Sequence, residues 1–174
     1  QFYQFWIQAD DQDVIRFLKF FTFLARDEIQ NLEEEVRERP EKREAHRALA
    51  REVTTLVHDE AATQRAEHIS NALFYGNLSE LTEEEIEEGF SDVPSHEGST
   101  RDEVKLVDLL CEAKVSTSKR EAREFVKNGA IALNGQRCTD VGKTLEPSDW
   151  LVGKYTVIRR GKQNYHLIRW QEEA

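Results

Sequence analysis

The pair Asn134-Gly135 lies between the short runs AIAL and QRCT and constrains the chain more tightly than any other feature. A two-residue type I′ turn needs positive φ at both central positions, which Asn and Gly tolerate, so the flanking runs read as a β-hairpin. Immediately before it, STSKREAREFVKNG reads as an amphipathic helix opened by Ser118 with Glu121 three residues on, and closed by Gly129. A capped helix, a glycine stop, a strand and a tight turn therefore follow one another without a loop. The segment YTVIRRGKQNYHLIRW reads as a second hairpin turning near Gly161, and VKLVDLLCEAK as a preceding helix capped by Thr100 and Glu103. The C-terminal part is thus expected to be a small α+β domain of helices and antiparallel hairpins.

The basic helix is unexpected in a chain of formal net charge −10. Residues 1–100 hold 10 Lys and Arg against 23 Asp and Glu (net −13), whereas residues 101–174 hold 14 against 11 (net +3). That asymmetry predicts two domains, the second with a polyanionic partner. Lys119, Arg120, Arg123 and Lys127 recur at helical spacings of three and four, and so share one broad face. Ala122, Phe125 and Val126 supply the buried side. Arg137, on the hairpin, is expected near the same face, with Arg159, Arg160 and Lys162 around the second turn as a supplementary patch. Long cations along a rigid edge suit the irregular phosphates of folded RNA.

The N-terminal part reads as an all-α bundle. Val14, Phe17, Leu18, Phe21 and Leu24 keep the spacing of a buried helix face, and Asp11 and Asp13 stand where a helix start favours a capping carboxylate. Ile29, Leu32 and Val36 stripe a second helix ended by Pro40; Ala45, Leu49, Val53 and Leu56 stripe a third. A fourth starts at Asp59 and stops at Gly76. Thr82 and Glu85 form a capping box before EEEIEE, read as a solvated face. PSHEGST, without a large apolar residue, is expected to be a linker. The boundaries are 1–93 for the bundle, 94–100 for the linker and 101–174 for the α+β domain.

The sequence offers no self-contained active site. It has no glycine-rich phosphate loop, no Gly-x-Ser-x-Gly and no His/Cys cluster with metal spacing. His58-Asp59 reads as a helix end followed by the next helix cap. Cys111 and Cys138 have neither disulfide-framework nor zinc spacing, and read as small core residues. No apolar run approaches a membrane span and the first residues do not resemble a signal peptide, so a cytoplasmic protein is expected.

STSKREAREFVKNGAIALNGQRC resembles the RNA-binding domain shared by a small-subunit ribosomal protein, several pseudouridine synthases and a heat-shock protein. Together with FYQFWIQADDQDVIRFLKFFTFL, LAREVTTLVH, ISNALFYG and YTVIRRGKQNYHLIRW, it is similar, in order and over essentially the whole chain, to the C-terminal half of bacterial-type tyrosyl-tRNA synthetases. The resemblance implies a helical anticodon-binding domain and an α+β domain that meets the anticodon stem and long variable arm of tyrosine tRNA. It implies that ATP and tyrosine bind a Rossmann-type catalytic domain whose signatures are not found in these residues. This chain alone is therefore expected to be non-catalytic, without cofactor or metal, and monomeric, the family's homodimer forming largely through that other domain; no DNA or membrane partner is expected. Asp11 and Asp13 become candidates for reading an anticodon guanine, since a carboxylate can accept from both donors of its Watson–Crick edge. Tyr155, Tyr165 and Trp170 are weaker candidates for stacking on bases. Two other readings remain: a stand-alone adaptor for ribosomal or other structured RNA, and an oligomerisation module built on the acidic helices.

Overall fold

A computed structural model describes residues 2–99 and 103–171; Thr100, expected as a helix cap, lies outside them. The chain forms two compact units, Gln1–Ser70 and Asn71–Ala174.

The first unit is helical: α1 (Phe2–Ile7), α2 (Asp11–Phe21), α3 (Arg26–Glu38), a 3₁₀ turn at Pro40–Lys42, α4 (Glu44–Val57) and most of α5 (Glu60–Tyr75). The helix ends follow local chemistry. Pro40 opens the 3₁₀ turn, Asp59 Oδ1 accepts from the Ala62 N–H at 2.6 Å, and Gly76 stops α5 at φ +77°, a conformation glycine adopts without steric cost. His58, as expected, ends α4, its N–H donating to Thr54 O. Val14, Leu18, Ile29, Ala45, Leu49 and Val53 make the core of this unit. Phe21 and Leu56, expected in that core, are 46% and 59% exposed; the helical stripes are narrower than their apolar pattern. Phe21 lies instead 5.3 Å from the Trp6 ring, beside a helix α1 that had no sequence signal of its own.

The second unit differs from the expected boundaries. It begins with the end of α5 and takes in a 3₁₀ turn at Leu78–Glu80 and α6 (Glu83–Gly89). The supposed linker supplies β1 (Ser95–Ser99). Then come β2 (Val104–Lys105), α7 (Leu106–Glu112), α8 (Lys119–Lys127), β3 (Ile131–Leu133), β4 (Gln136–Cys138), β5 (Thr144–Leu145), β6 (Tyr155–Arg160) and β7 (Asn164–Gln171). The helix expected to start near Val104 begins two residues later, because Val104 and Lys105 pair with Leu145 and Thr144. The main sheet runs β1-β7-β6-β3-β4. Both predicted hairpins are present in antiparallel register, and β1 adds to β7 in parallel.

Gly98 explains the misread linker. A Cβ there would come within 2.6 Å of the Trp170 ring, so the residue that looked like flexibility makes room for an indole. Ile131, Ile158, Ile168 and Trp170 pack with Leu106, Leu109, Leu110, Ala122 and Val126, placing α7 and α8 on one face of the sheet. Cys111 and Cys138, both free, pack partly buried at the edge of that cluster.

The other face is met by α6. Arg169 donates twice to Glu87, at 3.1 and 2.7 Å, Lys154 Nζ pairs with Glu83 at 2.8 Å, and Phe90 lies 5.8 Å from the Tyr165 ring. The glutamate run is therefore not simply a solvated face: Glu85 is buried in its capping box with Thr82, and two of its neighbours are engaged by the sheet. Divided where the structure divides it, the chain carries 10 Lys and Arg against 15 Asp and Glu in residues 1–70, and 14 against 19 in residues 71–174. Both units have net −5. The charge asymmetry seen in the sequence lies inside the second unit.

Candidate RNA-binding surfaces

Ser118 Oγ accepts from the Glu121 N–H at 3.2 Å and starts α8. The Glu121 carboxylate reaches back to the N–H and hydroxyl of Thr117, at 2.6 and 2.7 Å, one residue beyond a true capping box. Those bonds hold its pKa below the ordinary glutamate value, so the carboxylate stays bound to the helix entry. With Ala122 and Val126 fixed in the core, about 100° per residue places Lys119, Arg123, Lys127 and Arg120 within an arc of about 100°. All four are exposed.

Their charges are not equally free. Lys119 pairs with Asp108 at 2.7 Å, a contact that raises its pKa and lowers that of Asp108. Arg120, 90% exposed, lies 3.7 Å from Glu124. Among the described residues Arg123 and Lys127 make no ion pair. Arg137 extends the surface at the helix end: its guanidinium donates to Asn128 O at 3.2 Å and covers Gly129, where a Cβ would meet it at 2.1 Å. Gly129, at φ +66°, serves both the helix stop and this close approach.

The second turn contributes less than expected. Arg160 donates to Val115 O at 2.8 Å and stacks over Phe125 at 5.4 Å, so it braces α8 from the sheet and does not join the exposed patch. Arg159 is half-buried on the opposite face, where register puts it and Arg137 on either side of Ala132; its Nε has no partner among the described residues. Lys162 is exposed in the turn itself. Of the stacking candidates, Tyr155 and Trp170 are 5% and 6% exposed. Burial and the neighbouring Glu87 push the Tyr155 hydroxyl up to about 12, and Trp170 donates to Thr156 Oγ1 at 2.9 Å. Tyr165 rests on Phe90. Tyr155 and Trp170 are therefore buried, whereas Tyr165 stays partly exposed.

In the first unit the N-cap of α2 is Asp10, without a side-chain capping bond. Asp11 and Asp13 belong to the first turn, where their charge suits the positive end of the helix dipole. Asp11 is 52% exposed, with Oδ1 lying 3.1 Å from His46 Nε2 and 3.8 Å from Arg43. His46 is 1% exposed; burial first, then the Arg43 charge, lowers its pKa, so the ring is neutral at pH 7. A hollow of about 510 Å³ is lined by Gln8, Ala9, Asp10, Asp11, Gln12 and Arg43. Asp13 lines a neighbouring one with Phe5, Trp6 and Phe17. Gln8, Asp10 and Arg43 had escaped the sequence reading, and no local pattern could have found Arg43, since it reaches the α1–α2 turn across 36 positions.

Two family models match the chain: class I tRNA synthetases (W and Y) over residues 1–75, and the tyrosine–tRNA ligase SYY-like C-terminal domain over residues 85–168. The chain is 58% identical over 172 residues to a tyrosine–tRNA ligase of Bacillus caldotenax, covering 98% of this chain and 40% of the relative. Identity to the enzyme of Geobacillus stearothermophilus is 57% with the same coverage; to that of Oceanobacillus iheyensis it is 54%, covering 97% and 39%. The chain thus spans about two fifths of the length of the curated relatives it matches. With matches running from its first helix to its last strand, all to the same proteins, the chain belongs to the tyrosine–tRNA ligase family and corresponds to the C-terminal part of its members.

Proposed function

We propose that these residues are the tRNA-binding part of a tyrosine–tRNA ligase, acting in the cytoplasm, with α8 as the phosphate-binding edge and the α2 start as the anticodon reader. The observation that carries the reading is the exposed cationic arc of α8, in which Arg123 and Lys127 make no ion pair among the described residues and Arg137 caps the end. Lys162, exposed in the β6–β7 turn, and Arg159, on the other sheet face, are secondary candidates for RNA contact, while Arg160 contributes by holding α8 in place. Asp11 and Asp13 are the residues proposed to accept from an anticodon guanine. The unit's net negative charge is compatible with a polyanion because several of its glutamates are directed to the sheet face away from α8.

Binding is expected without chemistry. Activation of tyrosine by ATP is assigned to other parts of the ligases, so tyrosyl-adenylate formation by these 174 residues should stay at background, and light scattering should give a monomer whose mass is independent of concentration. The decisive test is the salt dependence of binding to tyrosine tRNA. About three to four neutralised phosphates give a log–log slope of about −2 to −3. Replacing Arg123 and Lys127 by glutamine should make the slope shallower by about 1.5. A slope near zero would remove α8 from the interface. Equal competition by generic structured RNA would favour the adaptor reading.

A further inference from the structure

We propose that Arg43 is a positioning residue for Asp11, holding the α1–α2 turn in the shape that presents this carboxylate to a nucleobase edge. The proposal deepens the anticodon reading above and rests on it. Arg43 stands just before α4 with φ +53° and ψ 34°, a left-handed conformation that non-glycine residues rarely adopt and that persists only where the surroundings over-determine it. Here the surroundings are its own contacts. The guanidinium donates to Ile7 O at 2.7 Å and to Ala9 O at 3.4 Å, tying down the end of α1 and the turn that follows. From the same fork, NH1 lies 3.8 Å from Asp11 Oδ1.

His46 closes on that oxygen from the core, 3.1 Å away, as a neutral ring that adds no charge. Oδ1 thus faces the Arg43 guanidinium and lies close to a buried ring nitrogen that has no hydrogen-bond partner among the described residues, while Oδ2 has no protein partner among them. A carboxylate offers about four lone-pair sites, so the half-exposed group retains capacity for two further donors at the rim of the hollow. Gln8 and Gln12 line the same space and can both donate and accept. One charged acceptor flanked by amides fits a base edge carrying adjacent N–H donors, as guanine does. Arg43 also offsets the charge of Asp10 and Asp11, which otherwise repels RNA phosphates.

The test compares binding of tyrosine tRNA with binding of the same tRNA in which the anticodon guanine is replaced by adenine, using the full 174-residue chain. The wild type should prefer the guanine form by about tenfold, and Asp11→Asn should bring that ratio close to one. Arg43→Gly and Arg43→Asn remove the guanidinium while accepting the left-handed backbone, so folding is preserved. Both should lower the ratio by about fivefold and leave the salt slope unchanged. Adding either to Asp11→Asn should produce no further fall, because both changes act on one contact. A wild-type ratio in both Arg43 variants, with Asp11→Asn losing it, overturns the role of Arg43 and leaves the anticodon reading standing. Equal weakening toward both tRNAs makes Arg43 a structural bracket only and overturns the proposal. No preference in the wild-type chain removes both ideas together.

Discussion

The helices α6 and α8 belong to one compact unit and lie against opposite faces of one sheet; α6 carries only acidic charge, whereas α8 carries four cations against two glutamates. Their charges have opposite fates. On α6, Glu87 is taken up by Arg169 of the sheet, Glu83 by Lys154 in the turn before β6, and Glu85 by its own capping box. On α8 the cations occupy the solvent side of a helix whose opposite side is buried in the core, and two of the four meet no carboxylate among the described residues. A run of like charge is therefore not a binding surface in itself. It becomes one when the partner element supplies no counter-charge.

That contrast can be broken most forcefully by reversing α8. Arg123→Glu with Lys127→Glu should weaken tyrosine tRNA binding by about a hundredfold at low salt, through lost phosphate contacts and added repulsion. The thermal midpoint should not move, because neither side chain is part of the core; a large drop would show these cations to be structural.

The complementary change is Glu87→Ala. It removes two charge-assisted bonds from a half-exposed Arg169 and should cost about 1.5 kcal/mol, at the low end for such bonds because water screens the pair. The thermal midpoint of the second unit should fall by about 5–10 °C, while the salt slope of RNA binding stays unchanged. The same pair gives a pH signature. The bond from Arg169 holds the Glu87 pKa below its ordinary value, so its contribution is complete above about pH 4.3 and is lost as pH falls through the lowered folded-state value. Glu87→Gln should flatten the acid limb of the stability curve; an unchanged limb would place the acid sensitivity elsewhere.

Capping should ignore the contrast. Thr82→Ala on the acidic helix and Ser118→Ala on the basic one should each cost about 1 kcal/mol by chemical denaturation, since each hydroxyl serves a backbone N–H and not the net charge of its helix. The smallest effect sharpens the comparison. Asp108→Asn removes the carboxylate that compensates Lys119 and should tighten tRNA binding about two- to threefold at low salt, an effect that vanishes at high salt. A weakened complex would mean that Asp108 orients Lys119 toward RNA.

Legibility in the sequence followed the range of the forces involved. The Asn134-Gly135 turn, the Gly129 and Gly76 stops and the Thr82 and Ser118 caps are decided within four residues, and each appears where the sequence placed it. The shared face of Lys119, Arg120, Arg123 and Lys127 followed from helical period once Ala122 and Val126 were recognised as buried. The engagement of Arg160 could not be read locally, because its guanidinium meets Val115 O and Phe125, 45 and 35 positions earlier. Asp11 was seen as a helix-start acid, but its closeness to Arg43 and His46 depends on how α4 docks on the α1–α2 turn.

The sequence by itself determined the local grammar: where helices start and stop, where the hairpins turn, and which stretch of α8 is cationic. Backbone dihedral preferences and near-neighbour hydrogen bonds suffice for that, and they are written residue by residue. Only the tertiary structure decided that residues 71–99 join the second unit, that Gly98 makes room for Trp170, and which charges remain free for a ligand. Those outcomes depend on sheet register and on salt bridges between residues more than seventy positions apart, and no local pattern encodes such pairings.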